Sequence, residues 1–380
     1  MSFITNIRSV AKYESKILVR SWFFRIFTLL AVVFLGFFNF AMMLMEDNFG
    51  LWFAKSVSSN IPYLNLLLLN TGQAVVAVFL SSEFLKRDKK LDTSEVFYVR
   101  PLSNAEYVVG KIWGNLRVFL FLNLLVLAIV LAFNFMASGV AVDLPAYLVY
   151  FFLISIPTLI FIIGLSIFLM LLLKNQALTF ILLLGYIGLT LFYIQDKFYY
   201  LFDYMVYNLP LFKSTIVGFS NLELILNHRA IYFFAGLGFI FFTIFLFKRL
   251  PNARRSHYPW LFLSFCMFLL MVTAGFRHVR SILREGEMRA LYTSINNKYV
   301  YEPKMAIDYY DISVEQKSET IRSVVGMEGT ALAASEVFIF CLNPGLRVEE
   351  VKDGEELLNF KREEQILAVD FGRKIEKGDT

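Results

Sequence analysis

The feature that most constrains this chain is a series of seven long runs that carry no charged residue. A membrane helix needs about 20 mostly apolar residues, and these runs have that length. Hydrophobic residues make up 58% of the chain and charged residues 18%, against about 45–50% and about 25% in soluble proteins. A soluble, disordered or disulfide-scaffold protein is therefore excluded, and the sequence predicts an all-α polytopic membrane protein. The runs are Ile26–Met45, one within Ser56–Ser82, one from Val118 to before Asp143, Leu144–Leu173, Asn175–Ile194, Ala230–Phe247 and Ser256–Phe276.

The distribution of charge predicts how the chain is oriented. Residues Arg277–Thr380 carry 15 basic and 19 acidic side chains, whereas Met1–Phe276 carries 21 and 12. The basic excess of the membrane part lies before the first run, in the loop Glu83–Arg117 and in the loop Lys248–Arg255. Because Lys and Arg collect in cytoplasmic loops, we expect a cytoplasmic N-terminus and an extracytoplasmic C-terminus in the cell inner (plasma) membrane. No nucleic-acid partner is expected, since no basic patch falls on a soluble domain.

Residues 1–25 predict an amphipathic helix before the first span. Arg8, Lys12, Lys16 and Arg20 recur every four residues, beside an apolar stripe. Such a helix can lie on the cytoplasmic leaflet with its cations toward anionic lipid, so membrane lipid is an expected partner. A simple juxtamembrane topology signal is the compatible alternative.

The cytoplasmic loop 83–117 predicts a short rigid helix followed by a break. Asp92 stands three residues before Glu95 and Ser103 three before Glu106, the spacing of helix capping boxes. Pro101 disfavours helix at Arg100, so we expect helix over Thr93–Val99 and a second helix from Ala105. The first helix presents three apolar side chains, which favours a protein partner; contact with the bilayer surface is the alternative. These side chains are Val96, Phe97 and Tyr98.

Other segments carry narrower predictions. Lys174-Asn175-Gln176 predicts a tight turn between two spans, and Pro157 predicts a kink. The aromatic-rich segment 195–229 predicts a pair of short re-entrant helices at the outer interface, with a plain interfacial loop as the alternative. Polar side chains within the runs are expected to form hydrogen bonds between helices rather than to bind a substrate. They are Asn39, Asn65, Asn70, Gln73 and Asn123.

The tail 277–380 switches to a strand pattern from about residue 304. Ser335–Leu342, Leu346–Val351 and Gln365–Phe371 are predicted strands, and Asn343-Pro344-Gly345 is a predicted turn. We therefore expect a small, incomplete extracytoplasmic β-rich domain. The cysteines Cys266 and Cys341 are not expected to form a disulfide.

Familiar catalytic and nucleotide-binding motifs do not occur in the sequence. Gly110-Lys111 lacks the first glycine of a P-loop, so ATP binding by this chain is not expected. The histidines His228, His257 and His278 are scattered at span edges and form no zinc motif. Arg25, Lys174 and Arg229 fall at span ends, and no charge falls in the middle of a span, which weighs against an ion-coupled carrier.

The layout and one local stretch resemble the type-2 ABC exporter permeases. The stretch runs from Thr93 to Asn104 and continues through Glu106-Tyr107 and Gly110-Lys111. It looks like the family's pattern of Glu, two hydrophobic residues, Pro-hydrophobic-Ser and Gly-Lys. The resemblance covers about residues 1–247, and residues 248–276 add a loop and a seventh span to its six-span core, 26–247.

The resemblance implies a function and a site. It implies the permease subunit of an exporter that is not itself an enzyme, with ATP and Mg on a separate cytoplasmic ABC ATPase subunit. It also implies a homodimer or a heterodimer with a second permease. The residues that it assigns to ATPase coupling are Thr93, Glu95, Val96, Phe97, Tyr98, Arg100 and Pro101.

The tail resembles a different family. Ala306–Val314 and Ser335–Phe371 look like opening strands of the N-terminal β domain of gluzincin aminopeptidases, without that family's metal motif. This resemblance implies an alternative role, a membrane anchor for the β domain of a truncated permease–aminopeptidase fusion, and no peptidase activity is expected.

The orientation can be tested with reporter fusions. A reporter placed after Lys90 should remain in the cytoplasm, because the loop around it carries seven Lys and Arg residues. A reporter placed after Thr380 should lie outside. Alkaline phosphatase and fluorescent-protein fusions at both positions measure this, and phosphatase activity after Lys90 would contradict the predicted topology.

Overall fold

The computed structural model divides the chain into two compact units, Met1–Val279 and Arg280–Thr380. Backbone and side chains are described for most of both units, except that only the backbone is described over 82–90. The described ranges are 3–44, 57–90, 102–136, 141–194, 196–214, 218–247, 258–317 and 320–379.

Helices account for almost all of the regular structure in the first unit. Seven of them, α2 to α8, are long and apolar enough to cross a membrane, which confirms the expected multi-pass membrane protein. Helix α8 continues into the second unit. The helices are α1 Phe3–Arg20, α2 Trp22–Leu44, α3 Asn60–Lys90, α4 Asn104–Met136, α5 Leu144–Leu173, α6 Gln176–Ile194, α7 Leu222–Leu246 and α8 Tyr258–Lys298.

Several helices extend beyond the charge-free runs that predicted them. Helix α4 begins at Asn104, one residue before the predicted Ala105 and well before its charge-free run, and α7 begins at Leu222 rather than Ala230. A charge count starts both runs too late, because Arg117 is hydrogen-bonded to α1 and Arg229 is buried among other parts of the protein. Helix α8 runs past Phe276 into a polar stretch rich in Arg, Glu, Leu and Met, residues that favour helix.

The turn between α5 and α6 has the predicted form. Lys174 adopts a left-handed conformation with φ of 53°, and its N–H donates to the carbonyl of Met170. The Asn175 side chain then caps α6 by accepting from the N–H of Leu178. Helix α5 contains a π-helical turn at Phe151–Ser155, and Pro157 lies in the α-helical turn that follows it. The departure of α5 from regular α-helix therefore lies just before the proline.

The segment between α6 and α7 differs from its prediction. In the described ranges 196–214 and 218–221, the only helical turn is the 3₁₀ turn Phe198–Tyr200, and no pair of re-entrant helices is present. Phe198, Tyr199 and Tyr200 all have positive φ, between 51° and 62°. The segment's aromatic residues predicted an interfacial structure, but they are equally compatible with irregular backbone that is held by side chains from the bundle.

Helices α5 and α7 approach each other very closely. A Cβ added to Gly236 would lie 2.7 Å from the carbonyl carbon of Ile160, and one added to Gly164 would lie 2.7 Å from the carbonyl oxygen of Gly236. Only glycine allows two backbones to approach so closely. The central layer of the bundle is therefore built on these two helices.

The second unit packs strands beside the C-terminal part of α8. Its strands are β1 Met305–Lys317, β2 Thr320–Ala331, β3 Ser335–Cys341, β4 Lys352–Asp353, β5 Glu356–Leu357, β6 Asn359–Glu363 and β7 Ile366–Ile375. Strands β3, β7 and β6 form one antiparallel sheet, β1 pairs only with β2, and β4 pairs with β5. Ile295 of α8 packs on Ile339 and Ile366 of the sheet.

Two predicted strands of the tail are confirmed and one is wrong. Strands β3 and β7 lie where Ser335–Leu342 and Gln365–Phe371 predicted them. Leu346–Val351 forms no strand; its alternation reflects Val348 and Val351 packing beside the small core of Leu358, Leu367 and Val369. The third strand of the sheet is β6, whose charged sequence gave no apolar alternation. The predicted turn is present, with the N–H of Gly345 donating to Oδ1 of Asn343 at 2.9 Å.

The polar side chains within the spans pair between helices, as predicted. Asn39 of α2 and Asn65 of α3 exchange two hydrogen bonds, of 2.7 and 3.1 Å. Deeper in the bundle, Nδ2 of Asn123 donates to Oε1 of Gln73 at 2.9 Å, and Oδ1 of Asn123 accepts from Asn70 and Ser155 at 3.2 and 2.8 Å. This interior network ties α3, α4 and α5 together.

Replacing Asn123 with Leu should destabilise the bundle. The change keeps the volume but removes one donor and one acceptor that three other buried side chains use. At about 0.6 kcal/mol for each interhelical bond, plus the cost of unsatisfied polar groups, we expect a loss of about 1–3 kcal/mol. Thermal unfolding of the purified protein in detergent measures this loss.

The matched control is Thr273→Val. The Thr273 hydroxyl is exposed and donates only within its own helix, to carbonyls of Leu269 and Leu270. Its replacement should leave the unfolding midpoint nearly unchanged. An Asn123→Leu protein as stable as the control would contradict a structural role for the network.

Candidate functional site

The residues that the sequence assigned to ATPase coupling, Thr93 to Pro101, lie outside the described residues. The structure does describe the residues that follow them, from Leu102 onward, and the helices on which those residues rest. We call the contact between α1 (3–20) and residues 102–117 the α1–α4 junction. It is the candidate functional site, because it contains the residues that directly follow the predicted coupling segment in sequence.

A reciprocal cap fixes the start of α4, as predicted. The backbone N–H of Ser103 donates to Oε2 of Glu106 at 2.6 Å, and the N–H of Glu106 donates to Oγ of Ser103 at 3.1 Å. The other carboxylate oxygen accepts from Nδ2 of Asn6 in α1 at 2.8 Å. The cap therefore orders the helix start and also attaches it to α1.

Two glycines one turn apart let α1 lie directly on α4. A Cβ at Gly110 would lie 2.7 Å from Cβ of Val10, and one at Gly114 would lie 2.7 Å from Cβ of Glu14 and 2.9 Å from the carbonyl oxygen of Ala11. Larger residues at these positions would separate the helices. Part of the apolar stripe of α1, which was expected to face lipid, packs on α4 instead. The basic stripe of α1 remains exposed; it consists of Arg8, Lys12, Lys16 and Arg20.

A buried ion pair crosses the same contact. Nζ of Lys111 lies 2.9 Å from Oε1 of Glu14, and both side chains are almost fully buried. Beside the pair, Oγ of Ser15 donates to the carbonyl of Gly114 at 2.7 Å, and the Arg117 guanidinium donates to the Ala11 carbonyl at 2.9 Å. Removing one partner of a buried pair is costly, so the pair fixes the register of α1 on α4.

The end of α7 completes the junction. Nδ2 of Asn104 donates to the carbonyl of Phe247 at 2.7 Å, and the rings of Tyr107 and Phe247 stack with centroids 5.4 Å apart. Three helices therefore meet where residue 102 leaves the predicted coupling segment. A force applied to that segment would reach α1, α4 and α7 together.

A second polar group lies where α5, α7 and the segment 196–214 meet. The fully buried guanidinium of Arg229 donates to the carbonyls of Leu153 and Tyr204 at 2.7 and 3.0 Å and to the hydroxyl of Thr158 at 2.9 Å. The Leu153 carbonyl belongs to the π-helical turn of α5. Arg229 is thus a structural cross-link, inside α7 rather than at the span end that the sequence predicted.

Two histidines that the sequence placed apart are neighbours in the structure. The rings of His228 and His278 have centroids 5.1 Å apart. Each holds a carbonyl of the left-handed turn 198–200: Nε2 of His228 lies 3.0 Å from the oxygen of Tyr200, and Nε2 of His278 lies 2.8 Å from that of Tyr199. The hydroxyl of Tyr232 donates to the next carbonyl, of Leu201. No group of three metal-ligating side chains occurs in the described part of the chain.

No protein-family model matches the chain, and no curated protein matches it. The functional assignment therefore depends on the residues and their geometry.

The sequence reasoning identified the cap of α4 but missed the junction that it belongs to. Gly110 and Gly114 form a small-xxx-small pattern, which is a known signal for close helix packing. Glu14 is the single acidic residue of the N-terminal basic stretch. An acidic residue in that position is a signal that it pairs with a cation. Nothing in the sequence indicated which cation, because Lys111 is almost a hundred residues away.

Replacing Gly114 with Ala should loosen the α1–α4 junction. The added methyl group has no space against Glu14 and Ala11, so we expect a loss of about 1–3 kcal/mol, typical of overpacking. Detachment of α1 should also make cleavage by trypsin after Lys12 and Lys16 faster. Thermal unfolding and timed trypsin digestion measure the two effects.

Gly36→Ala is the matched control, since a Cβ there would meet nothing within 4 Å. It should leave the trypsin pattern unchanged and the stability equal or slightly higher, because alanine favours helix. Equal behaviour of the two variants would show that the close approach at Gly114 is not needed.

Proposed function

We propose that this chain is the membrane permease subunit of an ATP-binding-cassette exporter, which moves its substrate outward with ATP hydrolysed by a separate subunit. The observation that carries the proposal is the α1–α4 junction. It attaches the start of α4, which follows the segment 91–101 in sequence, to α1 and to the end of α7, and such an attachment is what a coupling segment needs.

The arrangement of the spans supports the same proposal. Seven helices can cross the membrane, and an additional N-terminal helix packs on the start of α4. The loop that contains the predicted coupling residues follows α3 and precedes α4. Its seven basic residues support a cytoplasmic location, which is where an ATPase would bind.

The proposed mechanism is mechanical coupling between chains. Closure of two ATPase subunits on ATP and Mg would push the helix Thr93–Val99 of each permease. Because the junction is held by a buried ion pair, a cap and two close glycine contacts, it would transmit the push without yielding. Helices α4 and α7 would then tilt together and open a path between two permease subunits.

The buried polar groups fit a protein that changes shape as a few rigid bodies. The interior network links α3, α4 and α5, whereas Arg229 links α5 and α7 to the segment 196–214. Each of these groups is bonded to protein atoms, so their described roles are structural. This favours an ATP-driven permease over an ion-coupled carrier, in which buried ionisable groups bind the coupling ion.

A second candidate is a membrane anchor for the C-terminal unit. The observation in its favour is that Arg280–Thr380 forms a compact unit with its own small apolar cores. The two candidates differ in the partner that they require, since an anchor needs no ATPase. Co-expression with an ABC ATPase subunit from the same organism, followed by purification in detergent, distinguishes them: a permease should co-elute with its ATPase.

The sharpest test of the proposal is Phe97→Asp. If Phe97 enters an apolar cleft on the ATPase, a carboxylate there would be buried without a partner. Aromatic anchors often dominate such interfaces, so we expect ATPase association to weaken by about tenfold or more and transport to fall with it. The measurement is ATPase co-elution and transport at matched membrane abundance.

Phe97→Leu is the matched control, because it keeps an apolar side chain and should retain most of the binding. If Phe97 only rests on lipid, Phe97→Asp should leave ATPase association unchanged. That outcome, with the protein present in the membrane at the normal level, would overturn the coupling assignment.

A further inference from the structure

Helix α8 inserts a histidine into the bundle. Between Tyr258 and Val279 the buried side chains of α8 are Ser264, Ala274 and His278, and the others are exposed or half-buried. The imidazole of His278 is fully buried. A polar ring is costly to bury unless it is hydrogen-bonded, so the contacts of His278 show what holds it there.

The buried imidazole connects α8 to two other elements. Its Nε2 lies 2.8 Å from the carbonyl oxygen of Tyr199, and its Nδ1 lies 3.4 Å from that of Leu224 in α7. A carbonyl oxygen can only accept, so Nε2 carries the hydrogen of the shorter bond. The stronger contact of His278 is therefore with the left-handed turn 198–200 and not with the helix beside it.

The turn is unfavourable without such contacts. Phe198, Tyr199 and Tyr200 have φ of 51°, 58° and 62°, a region that residues with large side chains rarely occupy. Such a conformation persists only where the surrounding structure determines it. Among the described residues, the carbonyls of residues 199 to 201 are held by three side-chain donors. These are His278, His228 and Tyr232.

The donor from α8 is the one that can be withdrawn while the bundle stays intact. His228 and Tyr232 belong to α7, whose backbone touches that of α5: a Cβ at Gly236 would lie 2.7 Å from the carbonyl of Ile160. His278 belongs to α8, which lies against α7 with few buried side chains. The bond to the Tyr199 carbonyl therefore depends on where α8 lies.

The turn leads directly into a buried stretch of the segment 196–214. Tyr204, Met205 and Val206 are fully buried. The carbonyl of Tyr204 accepts from Thr158 of α5 at 3.2 Å and from Arg229 of α7 at 3.0 Å. Only residues 201–203 separate the turn from this stretch, too few to absorb a change in the turn. A turn that left the left-handed conformation would therefore pull on residues 204–206.

We propose that His278 is a peg by which α8 keeps the segment 196–214 closed over this end of the bundle. With the imidazole inserted, the turn stays left-handed and residues 204–206 stay buried. When α8 moves away from α7, the donor leaves the Tyr199 carbonyl, the turn relaxes and the buried stretch becomes accessible. As a gate on a transport path, the peg rests on the proposed export function, whereas the dependence of the closed segment on this hydrogen bond does not.

The variant Met205→Cys reports whether the segment is closed. It is introduced into the full-length chain together with Cys266→Ser and Cys341→Ser, and the rate of labelling by a mono-maleimide is measured on the purified protein in detergent. Labelling of a buried site follows the population of the open form. His278→Leu removes the donor, so the rate should rise by about tenfold or more, the effect of losing one buried hydrogen bond.

His278→Gln is the matched control, because the side-chain amide of glutamine places an N–H near the position of Nε2 and can donate to the Tyr199 carbonyl. Its labelling rate should stay close to that of the parent. Ser264→Ala is a second control, since it removes a 2.9 Å bond from α8 to the carbonyl of Gly238 and leaves the turn untouched. A separate probe, Val78→Cys, lies fully buried in α3 and should stay protected in every variant.

Three outcomes would overturn the proposal. Labelling of Met205→Cys at the parent rate in His278→Leu would show that α8 does not hold the turn. Equal acceleration by Ser264→Ala would show that His278 has no special part, and exposure of Val78→Cys together with Met205→Cys would show unfolding of the bundle rather than opening of the segment. The labelling uses neither ATPase nor substrate, so its result stands whether or not the chain is an exporter.

Discussion

The structure depends on one constraint, that a polar group buried among apolar helices must find its partner within the protein. Asn123 meets this constraint with Gln73, Asn70 and Ser155, and the guanidinium of Arg229 meets it with backbone carbonyls and a hydroxyl. An unsatisfied group in such surroundings costs several kcal/mol. Each pairing therefore specifies which helices are neighbours. Apolar packing alone would specify this only weakly.

The constraint also explains why the α1–α4 junction is well defined. Apolar contacts would let α1 slide along α4, because leucine and valine pack in many registers. Glu14 and Lys111 permit one register, and the two glycines permit one depth of approach. The interior network plays the same part for α3, α4 and α5.

The number of spans was predictable because each apolar run is a local property of the sequence. The turn at Lys174-Asn175 and the cap at Ser103 were predictable for the same reason, since both are formed by residues within a few positions of one another. The start of α7 was not, because charge counting cannot distinguish an exposed arginine from one such as Arg229, whose charge is hydrogen-bonded by the protein. The end of α8 was not, because its polar extension carries no apolar run.

The contacts of the candidate site could not be predicted from local sequence patterns. The pairs Asn6–Glu106 and Glu14–Lys111 join residues about a hundred positions apart, and only the fold brings them together. The meeting of His228 with His278 is a similar case. In the second unit, β6 escaped prediction because its charged sequence shows no alternation, while Leu346–Val351 alternates without forming a ladder.

The left-handed turn 198–200 links two helices of the bundle. Three successive carbonyls, of residues 199 to 201, are each held by a side chain from α7 or α8. Its three residues with positive φ are unfavourable for side chains of their size. Because the three bonds hold adjacent carbonyls of one unfavourable backbone turn, the loss of one would weaken the other two. A movement that separated α7 from α8 would therefore have to break bonds at this turn.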